Sequence, residues 1–86
     1  MPEISRFLGM VIAMFFADHS PPHFHVRYGD RKATVAIDPP GVLSGSLPPR
    51  VLGLVVEWAT LHREELQADW DRARALSPLE PIAPLE

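Results

Sequence analysis

Three of the four histidines in the chain fall in one short stretch, Asp18-His19-Ser20-Pro21-Pro22-His23-Phe24-His25-Val26. Neutral imidazoles of His19, His23 and His25, with Asp18 as an accessory oxygen ligand, suit a divalent ion such as zinc with one position left open. The spacing matches no H-E-x-x-H or comparable metal signature. The same three side chains could instead serve as general acid and base, since imidazole changes protonation near neutral pH. Arg27 and Lys32 follow closely, and a guanidinium and an ammonium can stabilise the charge that builds on a phosphoryl group. A metal-independent ribonuclease needs little more than such a set. The plainer reading is that the histidines pack on the prolines and the nearby aromatic rings.

The positioning of these residues begins with the prolines. Pro21 and Pro22 have fixed φ and no N–H, and each pushes the residue before it toward extended backbone. A stiff connector is therefore expected over 18–22. From His23 to Tyr28 polar and apolar residues alternate, the period of a half-buried strand. His23 and His25 then share one face, about 7 Å apart along the strand. Gly29-Asp30 suits a two-residue type II′ turn, and residues 32–37 alternate again. That turn pairs Tyr28 with Arg31, Arg27 with Lys32, Val26 with Ala33, His25 with Thr34 and Phe24 with Val35. The register places Phe24, Val26, Ala33, Val35 and Ile37 on one face. His23, His25, Arg27, Lys32 and Thr34 occupy the other, so turn chemistry and hydrophobic pattern agree. Like charges opposite one another are destabilising; Arg27 facing Lys32 makes sense if that face binds an anion, or if Asp30 or another carboxylate neutralises the pair.

Upstream, residues 1–5 read as a short arm and 7–16 as a first strand, apolar on both faces. Downstream, residues 38–41 form a turn and 42–45 a short fourth strand. Ser46-Leu47-Pro48-Pro49 resembles a helix start with a Ser cap and prolines in the first turn. One helix is expected over 48–75, with Val51, Val55, Trp58, His62, Leu66 and Ala73 on its apolar stripe and Trp70 and Leu52 at the edge. His62 thus faces away from the other histidines, and Glu65 and Asp69 lie at the stripe's margin, able to reach water. The proline-rich end, 77–86, reads as a disordered tail or as an extended segment that docks on a partner.

Eighty-six residues with a net charge of −3 make one domain, 1–76 plus the 77–86 tail. The acidic balance argues against strong non-specific nucleic-acid binding while leaving room for a local basic patch. There is no cysteine, which excludes disulfides and thiolate metal sites. No basic-then-apolar leader and no apolar run of bilayer length are present, so a soluble cytoplasmic protein without membrane contact is the expectation.

The chain resembles a bacterial family of short proteins catalogued as a domain of unknown function (number 4160). The likeness runs to about Trp70. It rests on residues 2–7, Met14-Phe15-Phe16, the D-H-x-P-P-H-F-H-V stretch, Tyr28-Gly29, and Gly45-Ser46-Leu47-Pro48-Pro49-Arg50 leading to Trp58, His62, Leu66 and Trp70. Ser20 stands where Asn is expected, and the end after Ser77 looks particular to this chain. The resemblance implies a small cytoplasmic protein encoded beside another small protein, as in toxin–antitoxin pairs.

The fold expected is α+β: an antiparallel meander of three or four strands with one long C-terminal helix packed on one face. The leading functional expectation is a module of a toxin–antitoxin-like pair that binds RNA or a small cognate protein through the histidine-rich face. It would use His19, His23 and His25 for catalysis, with no cofactor, and Arg27 and Lys32 for binding. The alternative is a metal-binding protein or metal-dependent hydrolase using His19, His23 and His25. A third is a structural subunit whose open face is a homodimer contact.

Overall fold

The computed structural model describes residues 2–85. Over these residues the fold is α+β, with five strands and two helices: β1 Glu3–Phe7, β2 Met10–Ala13, β3 His23–Tyr28, β4 Arg31–Ile37, β5 Pro40–Gly45, α1 Pro49–Leu61 and α2 Arg63–Arg74. The strands form one antiparallel meander in the order β1-β2-β3-β4-β5. Both helices cover one face. Among the described residues no helix is long and apolar enough to cross a membrane.

The β3–β4 hairpin has the register expected from its turn, Arg27 opposite Lys32 and His25 opposite Thr34. Gly29 takes φ 59°, as the first position of a II′ turn requires. Phe24, Val26, Ala33, Val35 and Ile37 are all buried against the helices. Trp58 of α1 is the centre of that core, with ring centroids 5.4 Å from Phe7 and 5.8 Å from Phe24.

Three regions depart from the expected layout. The first strand, expected over 7–16 after an arm at 1–5, is a hairpin. Leu8 and Gly9 turn the chain with φ 49° and 83°, and Phe7 faces Met10 across it. A left-handed Leu is rare, and apolar residues on both sides of the turn hide it. The sheet therefore has five strands where three or four were expected; Met1 of the expected arm lies outside the described residues, as does Glu86 of the tail.

The single helix over 48–75 is two. His62, at φ −114° and ψ 25°, kinks the path, although His62 N–H still donates to Trp58 O and Leu66 N–H to His62 O. Two side-chain bonds favour the kink. Thr60 Oγ1 donates back to Val56 O at 2.7 Å, an arrangement that bends helices. The His62 ring, tilted against Trp58, meets Glu65 Oε1 through Nδ1 at 2.6 Å. Ser46 is no cap: the helix starts after Pro48, and the Ser46 N–H donates to Lys32 O. The apolar stripe is as expected, with Val51, Val55, Trp58, Leu66 and Ala73 buried; Trp70, expected at its edge, is buried too.

The proline-rich end packs on its own domain. Leu76, at φ 58°, ends α2. The chain then runs back extended, Ile82 N–H donating to Ile4 O at 2.8 Å and Trp58 Nε1–H to Ala83 O at 2.9 Å, with Ile82 buried. Asp69, expected to reach water, is fully buried instead, and its Oδ1 accepts from Arg72 Nη1 and from the Glu80 N–H.

Candidate functional site

The corner between β2 and β3 is fastened at several points. Ala17 takes φ 54° and its N–H donates to Ala73 O at the end of α2. Arg74 Nη1 donates to Ser20 Oγ at 3.4 Å. Past the two prolines, the Ile37 N–H of β4 donates to Pro22 O. The chain therefore enters β3 from a fixed direction, and that direction aims Asp18 at the first side chains of the strand.

Asp18 is the hub of the cluster at this corner. Its Oδ1 accepts the His19 N–H at 2.9 Å. Its Oδ2 stands 2.9 Å from His23 Nε2 and 3.2 Å from His25 Nε2. One atom from each of the three side chains lies within 4.8 Å of the others. The far nitrogen of His23, Nδ1, donates to Pro21 O at 2.8 Å. Aromatic contacts hold both rings, His23 on Trp70 with centroids 5.1 Å apart and His25 against Phe15 at 4.2 Å. Burial pushes the Asp18 carboxyl up, but the His19 N–H and the His25 and His23 imidazoles outweigh it and hold that carboxyl below the ordinary carboxylate range.

The structure brings together two of the three sequence-predicted histidines. His23 and His25 share a face, as alternation requires, with ring centroids 5.1 Å apart. His19 is exposed and contributes only its backbone N–H, so Asp18 fills the third place. His23 does not look outward as expected: the C-terminal end of α2 lays Trp70 over the start of β3 and leaves His23 only 7% exposed. The sequence marks Asp18 only as an accessory and Trp70 only as a helix edge. The signal for both is weak, because each depends on the contact between Ala17 and Ala73. His62 lies apart with Glu65, as its place on the helix stripe predicts.

His25 also belongs to a groove of about 360 Å³ on the sheet face opposite the helices. Val11, Ala13 and Phe15 make its apolar side, and Arg27, Lys32, Thr34 and Ser44 its polar side. Arg27 and Lys32 face each other and are exposed. Among the described residues no carboxylate lies within ion-pair distance of either. Asp30 does not neutralise them, and Glu3, the acid whose carboxyl feels Arg27, is already held by Arg6 at 2.8 Å.

Among protein families, the one described as Domain of unknown function (DUF4160) matches residues 9–71. That span holds the Asp18 corner, the groove and both tryptophans. No curated protein and no solved structure matches the chain.

Proposed function

The chain belongs to the DUF4160 family, and we propose that it is an RNA-binding module that holds a single-stranded phosphodiester backbone in the groove on the open sheet face. The observation that supports this is the pair Arg27 and Lys32, opposite each other with no carboxylate within ion-pair distance among the described residues. Two cations set opposite each other across a hairpin repel. An anion between them reverses the sign, and a phosphate accepts charge-assisted hydrogen bonds from both. The apolar side of the groove supports the reading, because Phe15 and Val11 offer a surface for bases that a free phosphate would not need. The overall charge of −3 keeps the rest of the surface from binding indiscriminately. In a toxin–antitoxin-like setting in the cytoplasm, a small cognate protein would compete for this same face.

Binding is better supported than metal-free cleavage. Acid–base cleavage takes two accessible imidazoles, one to accept and one to donate a proton. His23 is buried with both nitrogens engaged, and His19 lies outside the groove.

The test is fluorescence anisotropy with a labelled single-stranded RNA across a salt series. Saturable binding is expected, with log K falling against log salt at a slope on the order of −1.4 for two phosphate contacts. Arg27→Ala and Lys32→Ala should each weaken binding about tenfold and cut the slope by about 0.7. No RNA binding, or the same affinity and slope in both folded variants, overturns the proposal.

A further inference from the structure

We infer that Asp18, His23 and His25 form a binding site for one borderline divalent cation of the first transition row, zinc being the reference case. The site stands on its own geometry and needs no RNA in the groove.

Two of the three donor spacings are close to what an ion requires, and all three lie within 4.8 Å. Zinc bound to imidazole nitrogen and carboxylate oxygen at about 2.0–2.1 Å in a tetrahedron places neighbouring ligand atoms roughly 3.3 Å apart. The two edges that meet at Asp18 Oδ2 measure 2.9 and 3.2 Å. Both must open by a few tenths of an ångström to admit an ion, a movement within reach of side-chain rotation.

The protons of the cluster also leave a place for positive charge. The Pro21 carbonyl can only accept, so His23 Nδ1 carries a hydrogen. In the neutral ring Nε2 then carries a lone pair, yet it points at an ionised carboxylate oxygen that also has only lone pairs to offer. A cation placed between the two atoms would be bound by both. A backbone carbonyl on the far nitrogen is how metal-binding imidazoles are commonly oriented, since it fixes the tautomer and leaves the other nitrogen free to bind.

The donors are held before any ion arrives. Trp70 fixes the His23 ring, Phe15 fixes His25, and the His19 N–H fixes the carboxylate by its other oxygen. A site organised in this way gives up little side-chain freedom on binding.

Donor type selects the ion. Two imidazoles and one carboxylate suit zinc, iron(II), cobalt(II) or nickel(II); calcium and magnesium prefer all-oxygen shells. Three protein ligands leave coordination positions open. His25 lines the groove as well as the cluster, so ion and groove meet at that residue.

The experiment uses tag-free full-length protein stripped with a chelator and titrated with zinc chloride by calorimetry, without RNA. One equivalent should bind, with a higher melting temperature as a consequence. Asp18→Asn and His25→Gln should each weaken binding at least tenfold, while His19→Gln and Arg27→Ala leave it unchanged. If a variant fails to fold, the wild type still decides the matter: cobalt(II) should give the visible absorption of a low-symmetry site, and nitrogen-15 NMR should show Nε2 of His23 and His25, not of His19 or His62, shifted by zinc. No saturable binding, binding carried by His19 or His62, or equal affinity in folded Asp18→Asn overturns the inference. Loss of RNA binding with intact metal binding, or the reverse, separates this site from the groove.

Discussion

Among the described residues histidine meets carboxylate at two places, through contacts of similar length and different character. In one, Asp18 meets His23 at 2.9 Å and His25 at 3.2 Å; in the other, Glu65 meets His62 at 2.6 Å. The shorter contact is the less informative. His62 caps the start of α2 and Glu65 lies in its first turn, three residues on, with its side chain 54% exposed. Any helix brings such positions together. Asp18, His23 and His25 come from a corner and a strand, and they converge only because α2 pins the corner and roofs the strand. Distance alone does not make a site. Convergence that several separate elements must maintain is the stronger mark.

That contrast can be broken most sharply at Trp70. Trp70→Ala should cost about 3–5 kcal/mol of stability by leaving a cavity under α2, read by urea denaturation. The milder Trp70→Phe should keep the fold and loosen the His23 ring, seen as a moved His23 resonance in NMR. An unmoved His23 in both variants would mean that Trp70 does not organise the cluster.

A smaller effect is expected from acid. The Asp18 carboxyl titrates lower in the folded chain than in the unfolded one, so its ionised form contributes stability above the ordinary carboxylate range. That contribution is lost as pH falls through the lowered folded value. The stability difference between wild type and Asp18→Asn should therefore be largest near neutrality and shrink in acid. A pH-independent difference between the two curves would remove the electrostatic role given to Asp18.

The smallest effect belongs to the other pair. Glu65→Ala should change stability by no more than about 0.5 kcal/mol, the scale of an exposed helix ion pair, and leave zinc binding at the Asp18 cluster untouched. A loss of several times that size would mean that His62 and Glu65 are more than a local helix contact.

Much of the β3–β4 hairpin was legible because two local signals coincide there: Gly29 at the turn and strict alternation on both sides. These alone imply the shared face of His23 and His25 and the opposition of Arg27 and Lys32. Where local signals are silent the sequence misleads. Leu8 turns left-handed with no marker but the Gly after it, and the α1–α2 kink at His62 contains neither Pro nor Gly. In the site, alternation could place the imidazoles but not the carboxylate. Whether Asp18 or His19 points inward is settled by the left-handed Ala17 and its bond to Ala73, at the far end of the chain. The position of Trp70 over His23 depends on the same bond.

The extended stretch after α2 looks, by composition, like something a biochemist would trim. Trimming it at Ser77 would strip the indole N–H of Trp58 of its acceptor, uncap the Ile4 carbonyl and lay bare the surface that Ile82 covers. It would also take away one of the two donors that steady the buried Asp69 carboxylate. The last residues act as a clasp, joining the first strand to the central tryptophan, and a shortened version would be a weaker protein, not a tidier one.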